Sequence, residues 1–241
     1  MIVATNVTKK FGKLTVLDSI NLSLNKGESI ALIGPNGSGK TTFIKSILGM
    51  VVPDSGLITV DKQNIKHDWK YRSGIGYMAQ TSRFPDNMTI AQVFVMMKDI
   101  RKPFTKHLDE ELVEELELGK VLDKRMRTLS GGTRQKVGAC LAFMFQPNIL
   151  ILDEPTAGLD PVSTEVLKAK ITKEKANGKL IMITSHVLSD LDEIITQVVY
   201  MQDGKLKFHK TFEQLKEDTG ELQLSKAIAH VMNTNKNEKT Y

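Results

Sequence analysis

The chain has 241 residues, enough for one domain of ordinary size carrying a smaller inserted lobe. Apolar residues at 41% and charged residues at 25% exclude wholesale disorder. The net charge of +5 is scattered, apart from Lys124-Arg125 and Arg127, so a solvated surface is expected and a nucleic-acid partner is not.

The first 33 residues read as strands. Ile20, Leu22 and Leu24 alternate with polar residues, and Ser29–Ile33 is a short, almost wholly apolar run of the kind buried on both faces. A glycine-rich loop follows, then a helix over Thr42–Met50, the turn residues Pro53-Asp54-Ser55-Gly56 and a strand over Leu57–Val60. Thr89-Ile90-Ala91-Gln92 has the form of a capping box that opens a helix through Lys98. Leu108, Leu112 and Leu116 make an apolar stripe along a helix over His107–Leu118, and Gly132–Phe145 is a third helix. Strands then alternate with helices again: Ile149–Leu152 (strand), Ser163–Ala176 (helix), Leu180–Ile183 (strand) and Leu188–Ile195 (helix). Val198–Met201 and Leu206–Phe208 form a hairpin about Asp203-Gly204, and a last helix spans Leu222–Met232. This alternation predicts an α/β fold with a mostly parallel sheet. The longest unbroken apolar run, Ala139–Phe145, is far short of the ~20 residues that span a bilayer. No secretory signal is expected at the N-terminus, and the single Cys140 permits no internal disulfide.

Gly34-Pro35-Asn36-Gly37-Ser38-Gly39-Lys40-Thr41 is a complete G-x-x-x-x-G-K-[ST] loop, set between a buried strand and a helix. Its glycines let successive backbone N–H groups curl around a phosphate, Lys40 supplies a point charge, and the Thr41 hydroxyl suits Mg²⁺. Asp153-Glu154 closes the Ile149–Leu152 strand, where carboxylates of a parallel sheet face the ligand crevice. Asp153 can hold Mg²⁺ through water, and Glu154 can polarise a water for attack on a phosphoryl group. Leu129-Ser130-Gly131-Gly132-Thr133 precedes a helix; by itself it is equally an N-cap with a flexible loop.

The phosphate loop, Gln80, Leu-Ser-Gly-Gly, Asp153-Glu154, Ala157-Gly158-Leu159-Asp160 and His186 occur in this order, and the chain thereby resembles the ATP-binding cassette (ABC) ATPases over residues 1–230. The resemblance implies a nucleotide-binding domain over 1–232, with a RecA-like core (about 1–80 and 147–210), an N-terminal antiparallel β region, a helical lobe (about 81–146) and a polar tail (233–241). It implies ATP and Mg²⁺ as ligands and head-to-tail pairing of two nucleotide-binding domains, expected to be a homodimer. The Gly34–Thr42 loop, with Thr42 as its last member, would hold the phosphates of one copy, closed over by Ser130, Gly131 and Gly132 of the other.

By the same resemblance Phe11 stacks on adenine with Val16 near the base, Gln80 senses Mg²⁺ and the attacking water, Asp160 couples the two sites, and His186 contacts the γ-phosphate. Read in isolation, Phe11 is as well a core residue, Gln80 a solvated loop residue and His186 a structural histidine. Thr133 stands in place of the usual signature glutamine, and Ala79 in place of a proline before Gln80. The family also implies that the chain lies at the cytoplasmic face of the inner membrane, held there peripherally by separate transmembrane permease subunits. They would dock at Arg83-Phe84-Pro85 and at the helix with Phe94, Met96 and Met97, unless that helix is simply core.

Ile75-Gly76-Tyr77-Met78-Ala79-Gln80, Arg83-Phe84-Pro85 and Lys98-Asp99-Ile100-Arg101 are further similar to the NosF-type ATPases of nitrous-oxide-reductase maturation, which implies service in copper-site assembly. The chain itself has no metal-binding spacing of Cys and His. Two other classes are weighed against a transport ATPase: a soluble ABC regulator of nucleic acid or the ribosome, and a nucleotide-binding module without catalysis.

Overall fold

A computed structural model describes residues 1–66, 68–105 and 107–237, with side chains to residue 232. Two long strands come first, β1 (Ile2–Phe11) and β2 (Leu14–Leu24), followed by β3 (Ser29–Ile33), in which all five residues are buried. The glycine-rich loop leads into α1 (Lys40–Ile47), then β4 (Ser55–Val60) and the short β5 (Gln63–Asn64). A 3-10 turn over Lys70–Gly74 delivers β6 (Ile75–Met78). Next come α2 (Ile90–Arg101), α3 (Glu111–Glu115) and α4 (Gly131–Met144). After these run β7 (Ile149–Asp153), α5 (Pro161–Ala176) and β8 (Leu180–Thr184). The chain closes with β9 (Gln197–Gln202), β10 (Lys205–Thr211), α6 (Phe212–Thr219) and α7 (Leu224–Asn237).

Packing divides the chain into two compact units, Met1–His67 with Ser185–Tyr241, and Asp68–Thr184. In the first, β1 pairs antiparallel with β2 and β4, and β4 with β5. There too β3 runs parallel to β9, whose other neighbour β10 is antiparallel. In the second, β6, β7 and β8 run parallel with β7 in the middle, alongside α2–α5. In this division β6–β8 belong with the helices between them in sequence.

Several expected boundaries move. The capping box of α2 is present, with Gln92 N–H donating to Thr89 Oγ1 at 3.2 Å and Thr89 N–H to Gln92 Oε1 at 2.9 Å. That helix runs on to Arg101, past the expected Lys98. The helix expected over His107–Leu118 shrinks to α3 and a 3-10 turn over Leu118–Val121, because Glu117 takes a left-handed backbone (φ 54°) that ends it. Leu112 and Leu116 are buried as the stripe requires, whereas Leu108 is exposed. α1 opens at Lys40 rather than Thr42, and α5 at Pro161 rather than Ser163, capped by Asp160. Only Leu188–Leu191 of the expected Leu188–Ile195 helix is regular, as a 3-10 turn. α6 was not anticipated, although Thr211 and Gln214 make a second capping box. The expected tail is helical to Asn237, and its remainder, 238–241, lies outside the described residues.

Candidate nucleotide site

The phosphate loop leaves the buried β3 at Gly34, where φ is 156° and an added Cβ would lie 2.0 Å from the Met201 carbonyl of β9. It turns back at Ser38, whose N–H donates to Pro35 O at 3.1 Å, and Gly204 N–H holds it by donating to Ser38 O at 3.2 Å. Gly39, with φ 103°, forms the N-cap of α1. No side chain caps α1, and its N-terminus, like that of any helix, presents N–H groups toward an anion. The Lys40 ammonium curls back to the Gly34 and Pro35 carbonyls at 2.6 and 3.1 Å. Ser38 Oγ is buried with no partner among the described residues. Uncapped amides, an ammonium and an orphaned hydroxyl on one loop are the donor set that a phosphate satisfies. Thr41 is exposed and Thr42 half-buried.

Elsewhere in this unit Phe11 is 52% exposed, which excludes the core reading of its ring. Val16 is half-buried, and its carbonyl lines the path that a Cβ on Gly39 would enter, at 2.6 Å. His186 is exposed just beyond β8.

In the other unit, Asp153 ends the fully buried β7 and is 7% exposed. Its Oδ1 accepts from Thr184 Oγ1 at 2.5 Å. Its charge, after burial, raises the Tyr77 phenol above the ordinary range. Glu154 is 8% exposed and takes a left-handed backbone, φ 53°, uncommon for a residue with a Cβ and frequent where function holds strain. Its N–H is held by Thr184 O and Thr184 Oγ1, both at 3.1 Å, and its carbonyl accepts from Gln135 Nε2 at 3.3 Å.

Ser130 caps α4 by accepting from Thr133 N–H at 3.2 Å, and its Oγ lies 2.9 Å from Thr133 Oγ1. Gly131 is exposed. Gly132 lies against the Gly158 carbonyl, where a Cβ would come within 2.6 Å. That close approach ties the Ser-Gly-Gly turn to the segment ending at Asp160. Asp160 caps α5 through Ser163 N–H (2.9 Å) and Oγ (2.7 Å) and pairs with Lys136 Nζ at 2.9 Å. The Ser163 hydrogen bonds, with Lys136, hold its carboxyl well below the usual carboxylate range.

A cleft of about 650 Å³ brings the exposed Gln80 and the Arg83-Phe84 stretch together with Gly131, Gly132 and Gly158. Ser130, Asp153, Glu154 and Asp160 do not line it. Gln135 does, and links the cleft to the Glu154 carbonyl. Neither Gln135 nor Thr184 stands out in the sequence. Thr184 could have been found as the polar end of a buried strand, paired in register with Asp153. On α2, Phe94 is buried core, which removes it from the expected docking face; Met96 and Met97 are half-buried, and Val95 and Ile100 are exposed. Among the described residues no helix is long and apolar enough to cross a membrane, and no three His, Cys, Asp or Glu group to hold a metal ion.

Comparison with known proteins gives the family and the fold. The ABC transporter family profile matches residues 17–157. The chain is 31% identical over 226 residues to the lipopolysaccharide export system ATP-binding protein LptB of Haemophilus influenzae, covering 90% of this chain and 93% of the relative. It is 34% identical over 220 residues to the sulfate/thiosulfate import ATP-binding protein CysA of Synechocystis sp., covering 90% of this chain but 62% of that relative. The solved structure of an ATP-binding subunit of an ABC transporter superposes with a TM-score of 0.88 at 25% identity, covering 96% of this chain and 99% of that one. The fold is therefore that of an ABC ATPase, mixed α/β with an antiparallel N-terminal sheet and parallel strands flanked by helices. The chain belongs to the ABC transporter family, as an ATPase domain.

Proposed function

We propose that this chain is the ATP-hydrolysing subunit that drives an ABC transporter through separate transmembrane permease subunits. The observation that carries the reading is the phosphate loop, with its uncapped α1 terminus, its curled Lys40 and its orphaned Ser38 hydroxyl. In this reading Gly34–Thr42 bind the triphosphate, and Lys40 neutralises its β- and γ-oxygens. Thr41, Asp153 and Gln80 offer the hard oxygen ligands that Mg²⁺ prefers. Mg²⁺, when bound, withdraws charge from the phosphate oxygens. Glu154, fixed at its backbone by Thr184 and Gln135, orients and polarises the attacking water. His186 contacts the γ-phosphate, and Phe11 with Val16 receives the base.

Two copies close head to tail, with Ser130, Gly131 and Gly132 of one over the γ-phosphate of the other and Asp160 coupling the sites. The relatives are ATP-binding proteins of transport systems, which supports a peripheral place at the cytoplasmic membrane face. One relative serves export and another import at comparable identity, so neither cargo nor direction is inherited from them. The stretch Ile75–Gln80 with Arg83-Phe84-Pro85 supports the narrower reading of a NosF-type subunit serving copper-site assembly, with any copper handled by its partners.

Gel filtration tests the closure. Glu154→Gln with ATP elutes as a dimer, and Lys40→Ala stays monomeric at the same ATP concentration. A monomeric Glu154→Gln under saturating ATP contradicts closure. Affinity capture from detergent-solubilised membranes tests the partners: a permease encoded with nitrous oxide reductase supports the narrower reading, and any other permease overturns it.

A further inference from the structure

We propose that Lys9, clamped by Asp54, is a positioning residue that fixes the Phe11 ring as the platform for the nucleotide base. The proposal rests on the reading of Phe11 as a base-stacking residue. Lys9 Nζ lies 5.3 Å from the Phe11 ring centroid, the range of a cation–π contact. The same ammonium is bonded to Asp54 Oδ1 at 2.9 Å, with only 16% of the Lys9 side chain exposed. An exposed lysine ordinarily samples many rotamers; this ammonium is held by Asp54 against the ring.

Asp54 is placed by backbone. Its N–H donates to Thr8 O at 2.9 Å, and its Oδ2 accepts from Lys10 N–H at 2.6 Å. The carboxylate therefore extends the β1–β4 edge beyond its last paired residues, Thr8 and Ser55. Gly56 permits the approach: with φ 87°, an added Cβ would sit 2.3 Å from Asn6 O. The turn before β4 is thus pressed onto β1 at the point from which Asp54 reaches both lysines. Bonds to Lys10 N–H and to Lys9 hold the Asp54 carboxyl below its usual range, so it stays charged at neutral pH.

The consequence is preorganisation. Phe11 lies 52% exposed, yet the ammonium 5.3 Å from its ring centroid limits its freedom before any ligand arrives. A base stacking on a ring already fixed loses less rotamer entropy than one stacking on a free side chain. In this reading the clamp acts at the base end of the nucleotide, through Phe11.

Calorimetric titration of the full chain with Mg-ATP and, separately, with inorganic tripolyphosphate tests this. Phe11→Ala should weaken ATP about 5- to 100-fold, the range of base–aromatic stacking, and leave tripolyphosphate unchanged. Lys9→Gln and Asp54→Asn should each weaken ATP about two- to five-fold, again with tripolyphosphate unchanged, and Lys9→Arg should restore ATP affinity. Lys9→Gln that leaves ATP affinity intact, or weakens both ligands alike, while Phe11→Ala is selective for ATP, overturns the clamp and spares the base reading. Phe11→Ala without effect on ATP overturns the base reading and the clamp with it.

Discussion

Lys40 and Glu154 show how much of a site depends on backbone that a residue list does not display. The loop around Lys40 needs glycine at Gly34, where a methyl group would meet the Met201 carbonyl at 2.0 Å. Gly34→Ala is expected to displace the loop and weaken ATP about 5- to 150-fold, from strain on the order of 1–3 kcal/mol, measured by the same titration. Cys140 offers a check on the interior. It is buried, and burial pushes its thiol up to about 12. At pH 8 almost no thiolate is present, so a thiol-reactive dye should label Cys140 only after unfolding in urea. Rapid labelling of the native protein would contradict the packing of α4. The phosphate loop was legible because its residues are contiguous and each has a separate task. Thr184 and Gln135 were not, since they reach Asp153 and Glu154 across 31 and 19 residues of sequence.

At the scale of elements, α5 and α3 are joined by Lys170, a buried ammonium bonded to Asp109 Oδ2 at 2.5 Å, Glu111 Oε2 at 2.6 Å and Glu174 Oε1 at 3.2 Å. Lys170→Met removes the cation and leaves three carboxylates crowded together. The expected cost is about 2–4 kcal/mol in urea unfolding, toward the low end of buried-pair losses because Glu111 keeps Lys173 as a partner. Further removing Asp109 and Glu111 by amide substitution should recover part of that loss. The same region shows why α3 was overestimated. Its leucine spacing is helical, but the segment before Glu111 is tied to α4 by Asp109 N–H, donating to Met144 O at 2.8 Å, and Glu117 turns left-handed. Tertiary bonds override periodicity there. By contrast α2 and α4 open at or beside the positions that Thr89 and Ser130 mark as caps, whereas the Asp160 cap opens α5 ahead of the expected Ser163. The Ser163 and Lys136 bonds that hold the Asp160 carboxyl low also set a pH sign. A depressed carboxyl stabilises the fold above its unfolded pKa and loses that contribution as pH falls through the folded value. Asp160→Asn should therefore flatten the acid side of the stability profile and leave the profile above pH 5 without slope from this group.

For the whole molecule, the order of motifs along the chain carried the family and the fold, and both agree with the relatives and with the solved ABC subunit. Cargo was never legible, because the residues that meet it belong to the permease subunits of the proposed complex. The central claim is narrower than transport: Glu154 activates water against a triphosphate held by the Lys40 loop. Phosphate release at saturating Mg-ATP, compared between the native chain and Glu154→Gln at matched ATP occupancy, tests it most directly. The account predicts steady turnover by the native chain and a loss of at least about a hundredfold in Glu154→Gln, as expected when a positioned base is removed, with ATP affinity kept within about twofold. Equal turnover by the two proteins would contradict it.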